Sequence, residues 1–155
     1  MSATAERTPA RGHRYRVAKR LGVAATLNDA PDSALAVHEA LHAGLPRRAL
    51  LKAIPPGIPM AELLPIFGIS LRTFMRLKAE PSKRLDSDQS ARVWRFTELM
   101  SKAEDVLGTR ERAVEWMLEP AMALEHRRPI ELLTTSVGAQ LVDDVIERMR
   151  YGVYQ

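Results

Sequence analysis

Twelve residues constrain this chain more than any other stretch: Phe67-Gly68-Ile69-Ser70-Leu71-Arg72-Thr73-Phe74-Met75-Arg76-Leu77-Lys78. An apolar helix end runs into a glycine, a serine stands where a helix N-cap belongs, and a second apolar-periodic run begins. Glycine alone enters a left-handed turn without a Cβ penalty, so it lets two helices cross closely. At about 100° of rotation per helical residue, Phe74 and Leu77 define one face. Arg72 and Arg76 fall opposite them, with Met75 and Ala79 beside the arginines. Leu63 and Phe67 before the glycine, and Ile69 after it, supply the apolar contacts that hold the crossing. The spacing predicts a helix over 60–67, a turn, and a helix over 70–79, the arrangement of a helix-turn-helix.

The remaining periodicity is also helical. From Asp32, the residues Leu35, Val37, His38, Leu41 and Leu45 recur near helical spacing, and Gly44 reads as a C-terminal cap. Pro46 opens a short helix with Leu50, Leu51 and Ile54, and Pro55-Pro56-Gly57-Ile58-Pro59 is a rigid break. After the loop Glu80–Arg84, Asp86 and Gln89 form a capping-box pattern ahead of a long helix striped by Val93, Phe96, Met100, Ala103 and Leu107. Gly108 closes it and Thr109 caps the next helix, which stops before Pro120; residues 121–128 read as irregular. Pro129 starts a short helix through Leu133, and Ser136 is expected to cap the last one. Its Val137, Leu141, Val142, Val145, Ile146 and Met149 are expected to share one buried face. No segment alternates with a period of two. The fold class is all-α: an N-terminal helix-turn-helix domain followed by a small helical domain. The expected division is a flexible basic arm over 1–25, a helix-turn-helix and dimerisation unit over 26–107, and a C-terminal unit over 108–155.

Bulk properties narrow the function classes. Hydrophobic residues make up 46% of the 155, so a core can form without cross-links, and the absence of cysteine removes disulfides, thiolate nucleophiles and Cys-ligated zinc. No apolar run approaches the roughly 18 residues that suggest a membrane helix, and the basic N-terminus lacks the apolar core of a secretion signal. The expected location is cytoplasmic. The net charge of +4 is unevenly placed: Arg7, Arg11, Arg14, Arg16, Lys19 and Arg20 make the first 25 residues basic, whereas residues 81–155 are mildly acidic. Such asymmetry suits an anionic partner at one end, although a solvated charged tail has the same composition.

On the second helix, Ser70 caps the N-terminus and leaves amides that can meet a phosphate. Arg72 and Arg76 can fork onto guanine edges in a major groove. Thr73 and Lys78 lie on the flanks, where phosphate contact is expected, as it is for Lys83 and Arg84 in the loop. The DNA-binding set is therefore Ser70, Arg72, Thr73, Arg76, Lys78, Lys83 and Arg84. Leu64, where a small residue usually stands, and Pro65, inside the first helix, depart from the usual pattern. The competing reading is a helical hairpin used for packing or protein contact.

One enzyme motif is present. His38-Glu39-Ala40-Leu41-His42 spells H-E-x-x-H, which on a helix sets two imidazoles on one face for zinc with a glutamate as general base. A catalytic zinc needs a third protein ligand. The position six residues after His42 is Arg48, Glu62 lies beyond the proline break, and His13 and His126 fall in the arm and a loop. A zinc peptidase is kept as a remote alternative. No phosphate loop, nucleophile elbow or dinucleotide fingerprint occurs, so no catalytic residue, metal or cofactor is assigned.

A resemblance then enters. Phe67-Gly68-Ile69-Ser70-x-Arg72-Thr73-Phe74-x-Arg76-Leu77, Leu85, and Ser90-x-x-Val93-Trp94-Arg95-Phe96 resemble the helix-turn-helix of Xre antitoxins from RES–Xre toxin–antitoxin modules. Ala113-Val114-x-Trp116-Met117-Leu118-x-Pro120-x-x-Ala123-Leu124, Arg128-Pro129-Ile130-Glu131-Leu132-Leu133, Gly138-Ala139-x-Leu141-Val142 and Tyr151-Gly152-Val153-Tyr154 are similar to the toxin-binding domain of Xre, MbcA and ParS antitoxins. The resemblance covers about residues 30 to 155. It implies a non-enzymatic antitoxin that binds a RES-domain, NAD-consuming toxin and occludes its active site with the C-terminal region. It also implies a homodimer that represses its own operon at operator DNA, and higher-order toxin–antitoxin complexes. The toxin-binding residues it points to are Arg150, Tyr151, Gly152, Val153 and Tyr154. A stand-alone helix-turn-helix repressor is the first alternative.

Overall fold

The computed structural model describes residues 12–27 and 32–152. Those residues are helical, without strands, in the order α1 (His13–Arg20), α2 (Ala34–Ala43), α3 (Arg47–Ala53), α4 (Met60–Phe67), α5 (Leu71–Ala79), α6 (Ser87–Leu107), α7 (Arg110–Leu118), α8 (Pro129–Leu132) and α9 (Ser136–Arg150). Short 3-10 turns occupy Ala24–Leu27 and Met122–Leu124.

The helix ends follow local chemistry. Ser33, Ser70, Asp86, Thr109 and Thr135 each accept a backbone N–H in the first turn of the helix they cap. At α6 the capping box is complete: the Gln89 amide donates to Asp86 at 2.7 Å, and the Asp86 amide donates to the Gln89 side chain at 3.1 Å. The α4–α5 turn is a Schellman closure. Gly68 adopts φ +68°, its N–H donates to the Pro65 carbonyl at 3.2 Å, and the Ile69 N–H donates to the Leu64 carbonyl at 3.1 Å. Leu64 is buried in the core and Ile69 packs against it, so the bulky residue at this crossing is part of the closure. Pro65 is tolerated because it lies on the exposed side of α4, and only the amide it lacks is lost.

α6 is the central strut. It packs against α1, α2, α3, α4, α7 and α9. Its burial exceeds the stripe read from sequence: Ser90, Trp94, Thr97, Leu99 and Ser101 are buried together with Val93, Phe96, Met100 and Ala103. Two of these buried hydroxyls are paired, Ser90 Oγ by the Leu45 amide at 2.8 Å and Thr97 Oγ1 by donating to the Val93 carbonyl at 2.9 Å. Phe67 and Phe96 meet edge to face with centroids 5.5 Å apart, joining the helix-turn-helix to α6. One hydrophobic cluster runs from Val17 to Ile146.

Four expectations are corrected. The second half of the flexible arm is α1: Val17, Ala18 and Leu21 have no exposed surface, Arg16 pairs with Asp105 at 3.1 Å and Arg20 with Glu104 at 2.7 Å. The apolar spacing i, i+1, i+4 among arginines gives this helix its buried edge. Residues 1–11, with Arg7 and Arg11, lie outside the described residues. α9 is capped by Thr135, whose Oγ1 accepts the Gly138 amide at 3.0 Å, while the Ser136 hydroxyl accepts from Arg95 at 3.1 Å. Val137 and Leu141 are 75% and 48% exposed, because the six apolar residues of α9 span too wide an arc for one contact face. Leu35, read into the α2 stripe, is exposed as well.

Candidate functional site

Two surfaces carry the candidate residues. The first is α5. Phe74 and Leu77 are buried, while Leu71, Arg72, Met75, Arg76, Lys78 and Ala79 face solvent. The helix contains three cations and no acid. Among the described residues Arg72, Arg76 and Lys78 have no ion pair or hydrogen-bond partner for their charged groups, unlike most of the basic side chains elsewhere in the fold. Ser70 Oγ accepts the Thr73 amide and donates to Thr73 Oγ1, both at 3.1 Å, which orders the first turn. α3 packs on α5 and holds it at the surface.

Lys83 and Arg84 are placed differently from Arg72 and Arg76. Lys83 Nζ pairs with Glu80 at 2.9 Å, and this contact holds the Glu80 carboxyl below its ordinary pKa. Arg84 Nη1 donates to the Gly44 carbonyl at 2.7 Å, closing the C-terminus of α2, and its own carbonyl accepts from Arg47 at 3.3 Å. Arg47 also reaches Glu80 at 3.2 Å. The loop charges thus tie the loop after α5 to the α2–α3 junction.

The second surface is the outer side of α9. Gly138, Ala139, Val142, Val145 and Ile146 face the core. Val137, Leu141, Asp144, Arg148 and Tyr151 recur at steps of three and four along the opposite side, and all are exposed. Tyr151 is 75% exposed, and its amide donates to the Glu147 carbonyl at 3.2 Å, continuing the helix by one residue. Gly152 follows at φ +69° with open space around it. Arg150 Nε lies 3.7 Å from Glu147. Val153 and Tyr154 lie outside the described residues. Beside α9, the chain from Ala121 to Arg127 closes on itself, with Glu125 and His126 both left-handed, and exposes Met122.

A polar seam anchors α9. Lys102 of α6 contacts Asp143 at 2.7 Å and Glu147 at 3.7 Å. Burial opposes the Lys102 charge, but the Asp143 hydrogen bond and the nearby carboxylates outweigh it and raise its pKa. Burial raises the pKa of Glu98, and burial together with Arg16 lowers that of His13, whose Nε2 is 3.8 Å from Glu98. Arg128 spans the two halves of the chain, contacting Glu62 of α4 at 2.9 Å and Glu131 of α8 at 3.0 Å.

The H-E-x-x-H residues form no such constellation. His38 and His42 are exposed on α2 with near-parallel rings 6.2 Å apart, and Glu62 is engaged by Arg128. No group of three or more His, Cys, Asp or Glu gathers to hold a metal among the described residues. A cleft of about 570 Å³ lies between α2, the Ala24–Leu27 turn and Arg84. No described helix is long and apolar enough to cross a membrane.

A cation-rich second helix of a helix-turn-helix, joined through one strut to a helical unit with an exposed end, makes a two-part helical protein. Residues 36–98 match the antitoxin Xre-like helix-turn-helix domain, and residues 102–152 match the antitoxin Xre/MbcA/ParS C-terminal toxin-binding domain. With both domains matched over more than half of its length, the chain belongs to the Xre antitoxin family. The chain is similar to Antitoxin Xre of Yersinia enterocolitica serotype O:8, 38% identical over 98 residues (63% of this chain, 66% of that protein). It is also similar to Antitoxin Xre of Photorhabdus laumondii, 31% identical over 93 residues (59% and 62%), and of Pseudomonas putida, 29% over 84 residues (54% and 52%). The matches span just under two thirds of the first two relatives' length. The junction between the matched domains falls inside α6, so both share that helix.

Proposed function

We propose that this chain is an antitoxin. Its C-terminal unit, residues 108–155, binds a RES-domain, NAD-consuming toxin and occludes the toxin's active site with Arg150, Tyr151, Gly152, Val153 and Tyr154. Its helix-turn-helix unit, residues 26–107, dimerises and represses the operon at operator DNA through Ser70, Arg72, Thr73, Arg76 and Lys78. Lys83 and Arg84 extend that basic surface. The observation that carries the reading is the exposed end of α9, in a chain that matches a toxin-binding domain over 102–152. Tyr151 is a large anchor, 75% exposed, with two rotatable side-chain torsions and little entropy to lose on burial. Val137 and Leu141 continue an apolar stripe along the same side of α9, the composition of an interface core flanked by the charged Asp144 and Arg148.

The test is co-expression with a RES-domain toxin, sought first in the adjoining reading frame. Removal of residues 151–155 abolishes protection from growth arrest while leaving the melting temperature and DNA binding of the chain unchanged. Full protection by the truncated chain would remove the tail from the interface. DNA repression with no toxin partner would favour a stand-alone repressor.

A further inference from the structure

The solvent side of α5 contains two rows. Arg72 and Arg76 form one at i, i+4 spacing. Leu71 and Met75, 59% and 56% exposed, form a second at the same spacing, about 100° away around the helix. Exposed aliphatic side chains on a short helix otherwise cost free energy in water, and here they stand beside Arg72, Arg76 and Lys78, whose charges have no partner among the described residues. The excess positive charge selects a polyanion as the occupant of this face, and Leu71 and Met75 are its only exposed large apolar groups.

Resting on the DNA-binding reading above, we infer that Leu71 and Met75 are a methyl-reading row, each contacting the C5-methyl group of a thymine while Arg72 and Arg76 take guanine edges. Thymine is the base whose major-groove edge carries an apolar group. Residues four apart on a helix are separated by about 6 Å along its axis, and successive bases on a strand by about 3.4 Å. Each row therefore addresses positions about two base steps apart, and the preferred site combines thymines and guanines at that interval. Leu71 is the first of the nine residues of α5 and Met75 the fifth, so the row runs from the N-terminus that enters the groove to the middle of the helix.

The test uses the full chain and a randomised DNA duplex library. The enriched duplex is then resynthesised with deoxyuridine replacing individual thymidines, which removes only the C5-methyl. The expected result is a loss of about fourfold in affinity at each contacted position, the transfer free energy of one buried methyl-sized group. Leu71→Ala abolishes the thymine-over-uracil preference at one position and Met75→Ala at another. Both variants keep the wild-type melting temperature, since neither side chain is in the core. Equal affinity for thymine and uracil duplexes, or a preference that survives the double substitution, overturns the methyl-reading row and leaves DNA binding standing. A library from which no sequence is enriched overturns both.

Discussion

Gly138→Ala opposes helix propensity to packing at the base of the candidate toxin-binding helix. Gly138 is the third residue of α9 and is buried, and its amide is held by Thr135 Oγ1. An added Cβ would lie inside the van der Waals contact distance of the Leu132 carbonyl oxygen, 2.9 Å from the Leu132 carbonyl carbon and 3.0 Å from Thr135 Oγ1. Propensity and the stiffer unfolded chain favour alanine by up to about 1 kcal/mol. The obstruction is backbone at the end of α8, so no rotamer change relieves it, and α8 must move away from α9. Overpacking of this kind costs about 1–3 kcal/mol. Separation would also loosen the layer in which Ile130 and Leu133 are each only 1% exposed and Val142 is fully buried. The net expectation is a loss of about 1–2 kcal/mol. At about 2–4 °C per kcal/mol for a chain of this size, the melting temperature falls by roughly 2–8 °C. Thermal unfolding followed by circular dichroism measures it, and Gly138→Ser should be no better tolerated. A melting temperature that is unchanged or higher for Gly138→Ala would refute the close-approach account and leave propensity as the governing term.

Three further outcomes follow from the same structure. Leu21→Ala, at a position with no exposed surface, should destabilise by about 2–5 kcal/mol in urea unfolding; a neutral effect would return α1 to the status of an appendage. Arg84→Ala, which removes the cation closing the C-terminus of α2, should lower stability by about 0.3–1 kcal/mol, whereas Arg76→Ala should leave stability unchanged and weaken specific DNA binding by about 1–3 kcal/mol; the reverse pattern would exchange their roles. Glu98 has a folded-state pKa raised by burial, so the folded state binds more protons than the unfolded chain above pH 4.5, and the stability attached to the protonated carboxyl is lost as pH rises through the folded value. Glu98→Gln should therefore gain on the wild type as pH increases across that range, and a stability difference independent of pH would contradict the burial.

The helix-turn-helix was legible because its determinants are local. Gly68 between two apolar runs, Ser70 at a cap and the opposed faces of Phe74 and Arg72 lie within a few residues of each other, and all occur as read. The caps at Asp86 and Thr109 were legible for the same reason. Leu64 and Pro65 were harder, since whether they disturb the motif depends on which side of α4 meets the core.

The sequence by itself determined the all-α class, most helix boundaries, the outward placement of Arg72 and Arg76, and the motifs that mark both domains. Only the tertiary structure decided which apolar stripes are covered. It buries α1 against α6, leaves Val137 and Leu141 in solvent, commits Arg84 to the Gly44 carbonyl and Glu62 to Arg128, and draws both domains onto one shared helix. Periodicity specifies the arc of a helix that is able to be buried, whereas burial itself depends on partners distant in sequence: Asp105 and Glu104 for α1, Phe96 for Phe67. Those pairings arise from the packing of whole elements and have no signature within any single window of the chain.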